Sequence, residues 1–267
     1  MVKFKAFTLS EVLVTLLLVG VIAALTLPFF IDSFQKTKWT LAYKRSFSET
    51  FNALTRLALE EDCAKSLTCT HVFEGSQENS TETFGRELTK IMSTKNNCAM
   101  SDGSCFSHRV KVGLSGAVEQ KLMDTLKESV DLHKDLTNFY TFETNRGVSY
   151  AVFSFGLNCL NVVSANDDDQ LIIKSYYDAY VYDLDETDNQ MKNLCGFVII
   201  DVNAGNPPNT WGRDVFGLWV TDRNSLGLYP FGGDYDNKFR GKCNVGANQD
   251  TRGCAAQLIK DGWKMTY

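Results

Sequence analysis

The chain has 267 residues, 44% of them hydrophobic, with four prolines and no low-complexity run, so it can bury a core and is not a disordered chain. Its formal charge is -5 and its Lys and Arg residues are scattered, which removes the basic footprint of a nucleic-acid binder, and no nucleic-acid partner is expected. All eight cysteines (Cys63, Cys69, Cys98, Cys105, Cys159, Cys195, Cys243 and Cys254) lie beyond residue 60 without a C-x-x-C pair, and His71, His108 and His133 stand apart, a pattern that favours disulfides in an oxidising compartment over a zinc site.

In chain order, the first predicted element is a membrane helix. From Phe7 to Ile31 the run FTLSEVLVTLLLVGVIAALTLPFFI is almost continuously apolar, and about 20 such residues cross a bilayer as a helix. Lys3 and Lys5 in the leader MVKFKA place the N-terminus on the cytoplasmic side. The apolar core is longer than that of a cleaved secretory signal, so the helix is expected to be retained.

Glu11 breaks the pattern. An ionised carboxylate in hydrocarbon costs at least about 2.5 to 3.5 kcal/mol unless it is paired, and no basic residue within the span lies in helical reach. Two readings stay open on position alone: Glu11 is solvated among headgroups at the cytoplasmic face, or it meets a positive charge supplied by another molecule.

The residues KAFTLSEVLVTLL resemble the prepilin cleavage and methylation motif of type IV pilins and type II secretion pseudopilins. The resemblance implies cleavage between Ala6 and Phe7 by a prepilin peptidase, methylation of the new amino group, and pairing of Glu11 with the amino terminus of a neighbouring subunit. Thr8, Leu9 and Ser10 fill the recognition stretch. Gly20 and Pro28 stand where many such pilins carry a helix-loosening Gly and Pro, and Ala6 occupies a position that is usually Gly. The implied partners are homologous pilin subunits, the peptidase, an inner-membrane assembly platform and the lipid bilayer. The implied location is the inner membrane, single-pass with the head in the periplasm, and then a periplasmic or extracellular fibre.

Past Pro28 the helix is predicted to resume, because Trp39, Tyr43, Phe47, Phe51, Leu54 and Ala58 recur at spacings of three and four. Pro28 removes a backbone donor, so a kink or local unwinding is expected between residues 20 and 28. The expected organisation is a leader at 1–6, an assembly helix at 7–31, an amphipathic continuation at 32–60 and a disulfide-containing head at 61–267.

Within the head, a short helix is expected over Phe84–Met92, and Val118, Leu122, Leu126 and Val130 mark another. From Phe139 the pattern changes to strands. NFYTFET and VSYAVFSF flank the turn Asn145-Arg146-Gly147 as a hairpin, and LIIKSY, AYVYDL, CGFVIIDV and VFGLWVT are further strands. A last helix is expected over Ala255–Lys260, with Trp263 and Tyr267 packing on the sheet. The fold class is therefore α+β: a long N-terminal helix on an antiparallel sheet, the arrangement that a pilin head also has. Pairing cysteines that are close in sequence joins 63 with 69, 98 with 105 and 243 with 254, and leaves 159 with 195.

The loop between the last two apolar strands, DVNAGNPPNTWGRD, has two readings. Its Asn and Asp side chains cap their own turns, or Asp201, Asn203 and Asp214 supply hard oxygen ligands to calcium around a bend at Gly205. Calcium is the one cofactor in question. Asp183, Asp185 and Asp188 form a second acidic group, read as a solvated loop.

No G-x-S-x-G, H-E-x-x-H, P-loop or G-x-G-x-x-G motif occurs in a catalytic context. A structural, fibre-forming subunit is expected rather than an enzyme. The alternative is a tethered extracytoplasmic binding or adhesion protein that does not polymerise.

Overall fold

In the computed structural model, the described residues are 8–64, 66–101, 105–106, 109–112, 118–121, 139–156, 158–159, 194–222, 226–232, 243 and 251–267. Contacts divide the chain between Lys38 and Trp39 into an N-terminal unit and a head. Helix α1 spans Leu9–Glu60 without a break. Of the kink or local unwinding expected near Gly20 and Pro28, the unwinding is absent: helical backbone continues through both residues.

The head is built on a six-stranded antiparallel sheet, ordered β1-β4-β5-β6-β7-β8. Its strands are β1 (Thr94–Ser101), β4 (Phe139–Thr144), β5 (Ser149–Ser154), β6 (Leu194–Asp201), β7 (Val215–Asp222) and β8 (Leu226–Pro230). A separate two-stranded sheet pairs β2 (Arg109–Val112) with β3 (Val118–Lys121). Helix α2 covers Gln77–Ile91 and α3 covers Cys254–Lys260.

Alternation along the strands sorts the large side chains into two rows. Phe142, Tyr150, Ile200 and Phe216 are register partners across β4 to β7, so they share one face. Helix α1 covers this row: Tyr43 stacks on Phe216 at 4.2 Å between ring centroids, and Ser46 and Thr50 lie beside Tyr150. Those two small residues take the place of the expected Phe51, which is 40% exposed. A bulky ring cannot sit over Tyr150, itself already stacked on Phe142 at 5.0 Å.

The opposite face carries Phe153, Phe197 and Trp219 in register, with Phe153 stacked on Phe197 at 4.9 Å and Trp219 against Phe231 at 4.8 Å. These rings are at most 1% exposed. Burying each contributes on the order of 2 to 3 kcal/mol.

Helix α2 is longer than the expected Phe84–Met92, because Ser76 caps it by accepting the Asn79 amide. It lies on the α1 side of the sheet, where Gly85 lets it approach: a Cβ there would fall inside the Tyr140 ring. Thr81 Oγ1 accepts from the Ser154 amide at 3.1 Å.

The predicted hairpin is present. Asn145, Arg146 and Gly147 connect β4 to β5, Thr144 N donates to Val148 O at 2.9 Å, and Gly147 takes the left-handed φ of 71° that such a turn requires. Two expectations change. Val118 opens strand β3 rather than a helix, since residues 118–121 pair with β2, and strands already occur before Phe139. The remainder of that predicted helix, LIIKSY and AYVYDL lie outside the described residues.

Candidate functional site

Between Leu9 and Ile31 no residue of α1 is buried, and this stretch gives the one helix among the described residues that is long and apolar enough to cross a membrane. Leu9, Leu17 and Leu25 are 80%, 71% and 75% exposed. Glu11 is its sole charged side chain.

Glu11 has a partner inside the chain. Thr8 is the residue before the helix; its amide and its hydroxyl both donate to Glu11 Oε2, at 2.9 and 2.8 Å, and the Glu11 amide donates to Thr8 Oγ1 at 3.3 Å. This is a reciprocal capping box, in which two otherwise unpaired donors at a helix start are satisfied. Its signal, Thr8-x-x-Glu11, stands in the sequence, but a reading concerned with charge alone passes over it. Ser10 Oγ lies 3.1 Å from Thr8 Oγ1. Ala6 and Phe7 fall outside the described residues. Gly20 and Pro28 lie within α1, with open space around Gly20.

The second candidate is the connection from β6 to β7. Asp201 Oδ1 accepts the Asn203 amide at 3.1 Å and its Oδ2 accepts the Gly205 amide at 2.9 Å. Asp214 Oδ1 accepts the Thr210 amide at 2.6 Å, and its Oδ2 accepts the Asn209 amide at 2.8 Å and Asn203 Nδ2 at 3.0 Å. Asn203 thus touches both carboxylates. The loop is also pinned from β2, where Lys111 N donates to Asn209 O and Trp211 N donates to Lys111 O.

Both carboxylates are fully buried. Burial pushes the Asp201 carboxyl up to about 7, the Asp214 charge adds to the rise, and the Asn203 and Gly205 amides oppose it. Burial also raises Asp214, against the amides of Thr210 and Asn209. The hydrogen bonds match the self-capping reading of the loop. Asn203 Oδ1 and Asn209 Oδ1 are buried without a hydrogen-bond partner, so two neutral oxygens accompany the two acids. No cluster of three His, Cys, Asp or Glu side chains suited to a metal occurs among the described residues.

The disulfides are Cys63–Cys69, Cys98–Cys105, Cys159–Cys195 and Cys243–Cys254, the pairing given by sequence proximity. The first closes a small loop that Asp222 of β7 holds: its Oδ2 accepts from Ser66 Oγ, Leu67 N and Thr68 N at 2.6, 2.7 and 2.8 Å. No sequence signal announces that contact, since it joins residues 155 apart. His71 is exposed and pairs with Glu61 at 2.5 Å. His108, His133, Asp183, Asp185 and Asp188 lie outside the described residues.

Comparison of the chain with protein-family models, with curated proteins and with solved structures finds no match. The α+β class, a long N-terminal helix and a six-stranded antiparallel sheet stand on the structure alone.

Proposed function

We propose that the chain is a structural subunit of the pilin or pseudopilin kind. Its N-terminal helix holds it in the inner membrane with the head in the periplasm; a prepilin peptidase cuts before Phe7, and a membrane assembly platform passes the subunit into a type IV pilus or type II secretion fibre. One observation carries the reading: α1 begins with an apolar stretch that the chain leaves uncovered, and that stretch bears a single carboxylate at its third residue. Lipid covers such a helix in the membrane, and copies of the same helix cover it in a fibre. A charge that lipid tolerates poorly then fixes the axial register, by pairing with the amine created at Phe7 on a neighbour. Glu11 acts in assembly and not in catalysis.

Mass spectrometry of the mature N-terminus tests this. A methylated Phe7 supports it, whereas an intact Met1 favours a tethered binding or adhesion protein that does not polymerise. Glu11→Ala should leave membrane insertion intact and impair incorporation into fibres; unchanged incorporation removes the pairing role.

Calcium binding by the β6–β7 loop is a narrower proposal, supported by the two unpaired amide oxygens beside Asp201 and Asp214. Asp201, Asn203, Asn209 and Asp214 would hold the ion, which would neutralise two buried charges. A melting temperature that does not change on adding a chelator removes it.

A further inference from the structure

The head begins at Trp39, eight residues after Ile31 closes the apolar run. Even fully extended, eight residues reach no more than about 29 Å, and as helix about 12 Å. If the apolar run lies in a bilayer, the residues around Trp39 are within reach of its headgroups. The proposal below therefore rests on the membrane reading of α1.

That end of the head is assembled from two distant segments. Helix α3 stops in a two-bond cap, with Gly262 N donating to Ile259 O and Trp263 N to Leu258 O at 3.0 and 2.9 Å. Gly262 and Trp263 both take left-handed φ values, 68° and 62°. Glycine accepts this freely, but a bulky residue does so only when its surroundings hold it there. What holds Trp263 is α1: its ring lies 5.8 Å from Tyr43 and 5.9 Å from Phe47, and Lys44 Nζ sits 5.5 Å from its centroid. Arg213 stands over Trp39 in the same way, at 5.8 Å. Lys44 and Lys264 are exposed, and Trp263 is half-buried. Of the nearby acids among the described residues, Glu49 pairs with Arg45 and Arg146, whereas Asp261 accepts from the neutral Gln257 and Thr266 and keeps its charge.

Aromatic rings with cations at their faces are the side chains that settle at a membrane-water interface, the ring at headgroup level and the cation toward phosphate. We propose that this end of the head, centred on Trp263 and Lys44, is a membrane-docking surface for anionic phospholipid headgroups. It holds the head against the bilayer before assembly and releases it when the helix leaves the membrane.

The test uses the full chain in nanodiscs at one chain per disc, with either phosphatidylcholine alone or a mixture with phosphatidylglycerol. Tryptophan emission is quenched by a headgroup-attached nitroxide, with Trp263→Phe marking the share due to that ring. Hydrogen exchange over residues 254–267 gives a second readout that needs no aromatic substitution. The expected result is stronger quenching and slower exchange in the anionic discs, both weakened by salt. In Lys44→Glu/Lys264→Glu the ratio of docked to free head should fall roughly fivefold or more, by the usual contribution of a lysine at an anionic surface. Equal quenching in the two lipids, or no change in the double variant, overturns the proposal. Protection that appears only with two chains per disc assigns the surface to a second copy and overturns it as well. A chain that alkaline carbonate strips from the discs refutes the membrane reading and the docking with it. A chain that is retained but unquenched refutes the docking alone.

Discussion

Two apolar parts of this molecule stand in opposite circumstances. The stretch from Leu9 to Ile31 has no buried residue, whereas the row Phe153, Phe197 and Trp219 in the head is almost wholly enclosed. Period separates them. The strands alternate, so one chain can cover both faces of their sheet. The N-terminal run is apolar all round its helix, and no stripe of it could be satisfied by one neighbouring element. A surface of that kind needs a solvent of its own or copies of itself.

The largest expected effect separates the two directly. Trp219→Ala should destabilise the head by about 3 to 5 kcal/mol, read as a lowered midpoint in urea, because it opens a cavity among enclosed rings. Leu17→Ala, 71% exposed in the isolated chain, should leave that midpoint unchanged and lower fibre yield. A shared shift in both variants breaks the contrast.

Next in size are the disulfides. Cys159–Cys195 closes a loop of sequence separation 36 and Cys63–Cys69 one of 6. Loop-closure entropy gives about 4 and about 2 kcal/mol respectively. Replacing each pair by Ser in turn and comparing urea midpoints checks the order, and a larger loss from the shorter loop reverses it.

Much of the described part of the head was legible, and the misses share a cause. The β4–β5 hairpin declares itself because alternation and the Asn145-Arg146-Gly147 turn agree. Strand β1, TKNNCAMS, is polar, sits at the sheet edge and shifts register twice against β4; it is a strand only because β4 offers it hydrogen bonds. Val118 begins a helical spacing with Leu122 and Leu126, yet pairing with β2 prevails over residues 118–121. Ser46 and Thr50 of α1 face the sheet because Tyr150 fills the space that a larger residue would need. In each case a partner distant in sequence decides. In the candidate site, the acids at 201 and 214 were legible as a loop, but not their burial, which comes from the strands on either side.

That burial predicts a pH dependence in the absence of divalent cations. The folded-state pKa of Asp201 is raised to about 7 from an ordinary value of 3.8. The stabilisation from holding it neutral is therefore complete below about pH 4 and is lost as pH rises through 7. The loss is at most about 1.4 kcal/mol per pH unit for one group, and Asp214 shifts in the same direction. The melting temperature should fall between pH 5 and 7.5. Glu143 and Asp261, which are lowered, act below this window and do not mask it. A flat profile under these conditions shows that Asp201 is not held neutral in the fold; a profile that becomes flat only when calcium is added is the outcome the calcium proposal requires.

The smallest effect returns to the uncovered helix. Within a single chain Glu11 Oε2 accepts from Thr8, so one oxygen of the carboxylate that the fibre would use serves a cap. A capping box is worth about 1 kcal/mol, and a charge pair away from water is worth more when its geometry is good. The cap therefore does little to hold the carboxylate back from the fibre. Thr8→Val removes the hydroxyl and keeps the shape. It should cost at most about 1 kcal/mol of helix start, leave insertion unaltered and leave Glu11 freer to pair, so fibre assembly should proceed at least as well as in the parent chain. If Thr8→Val instead abolishes assembly as fully as Glu11→Ala, the hydroxyl belongs to the fibre contact itself, and the cap is not a state that assembly leaves behind.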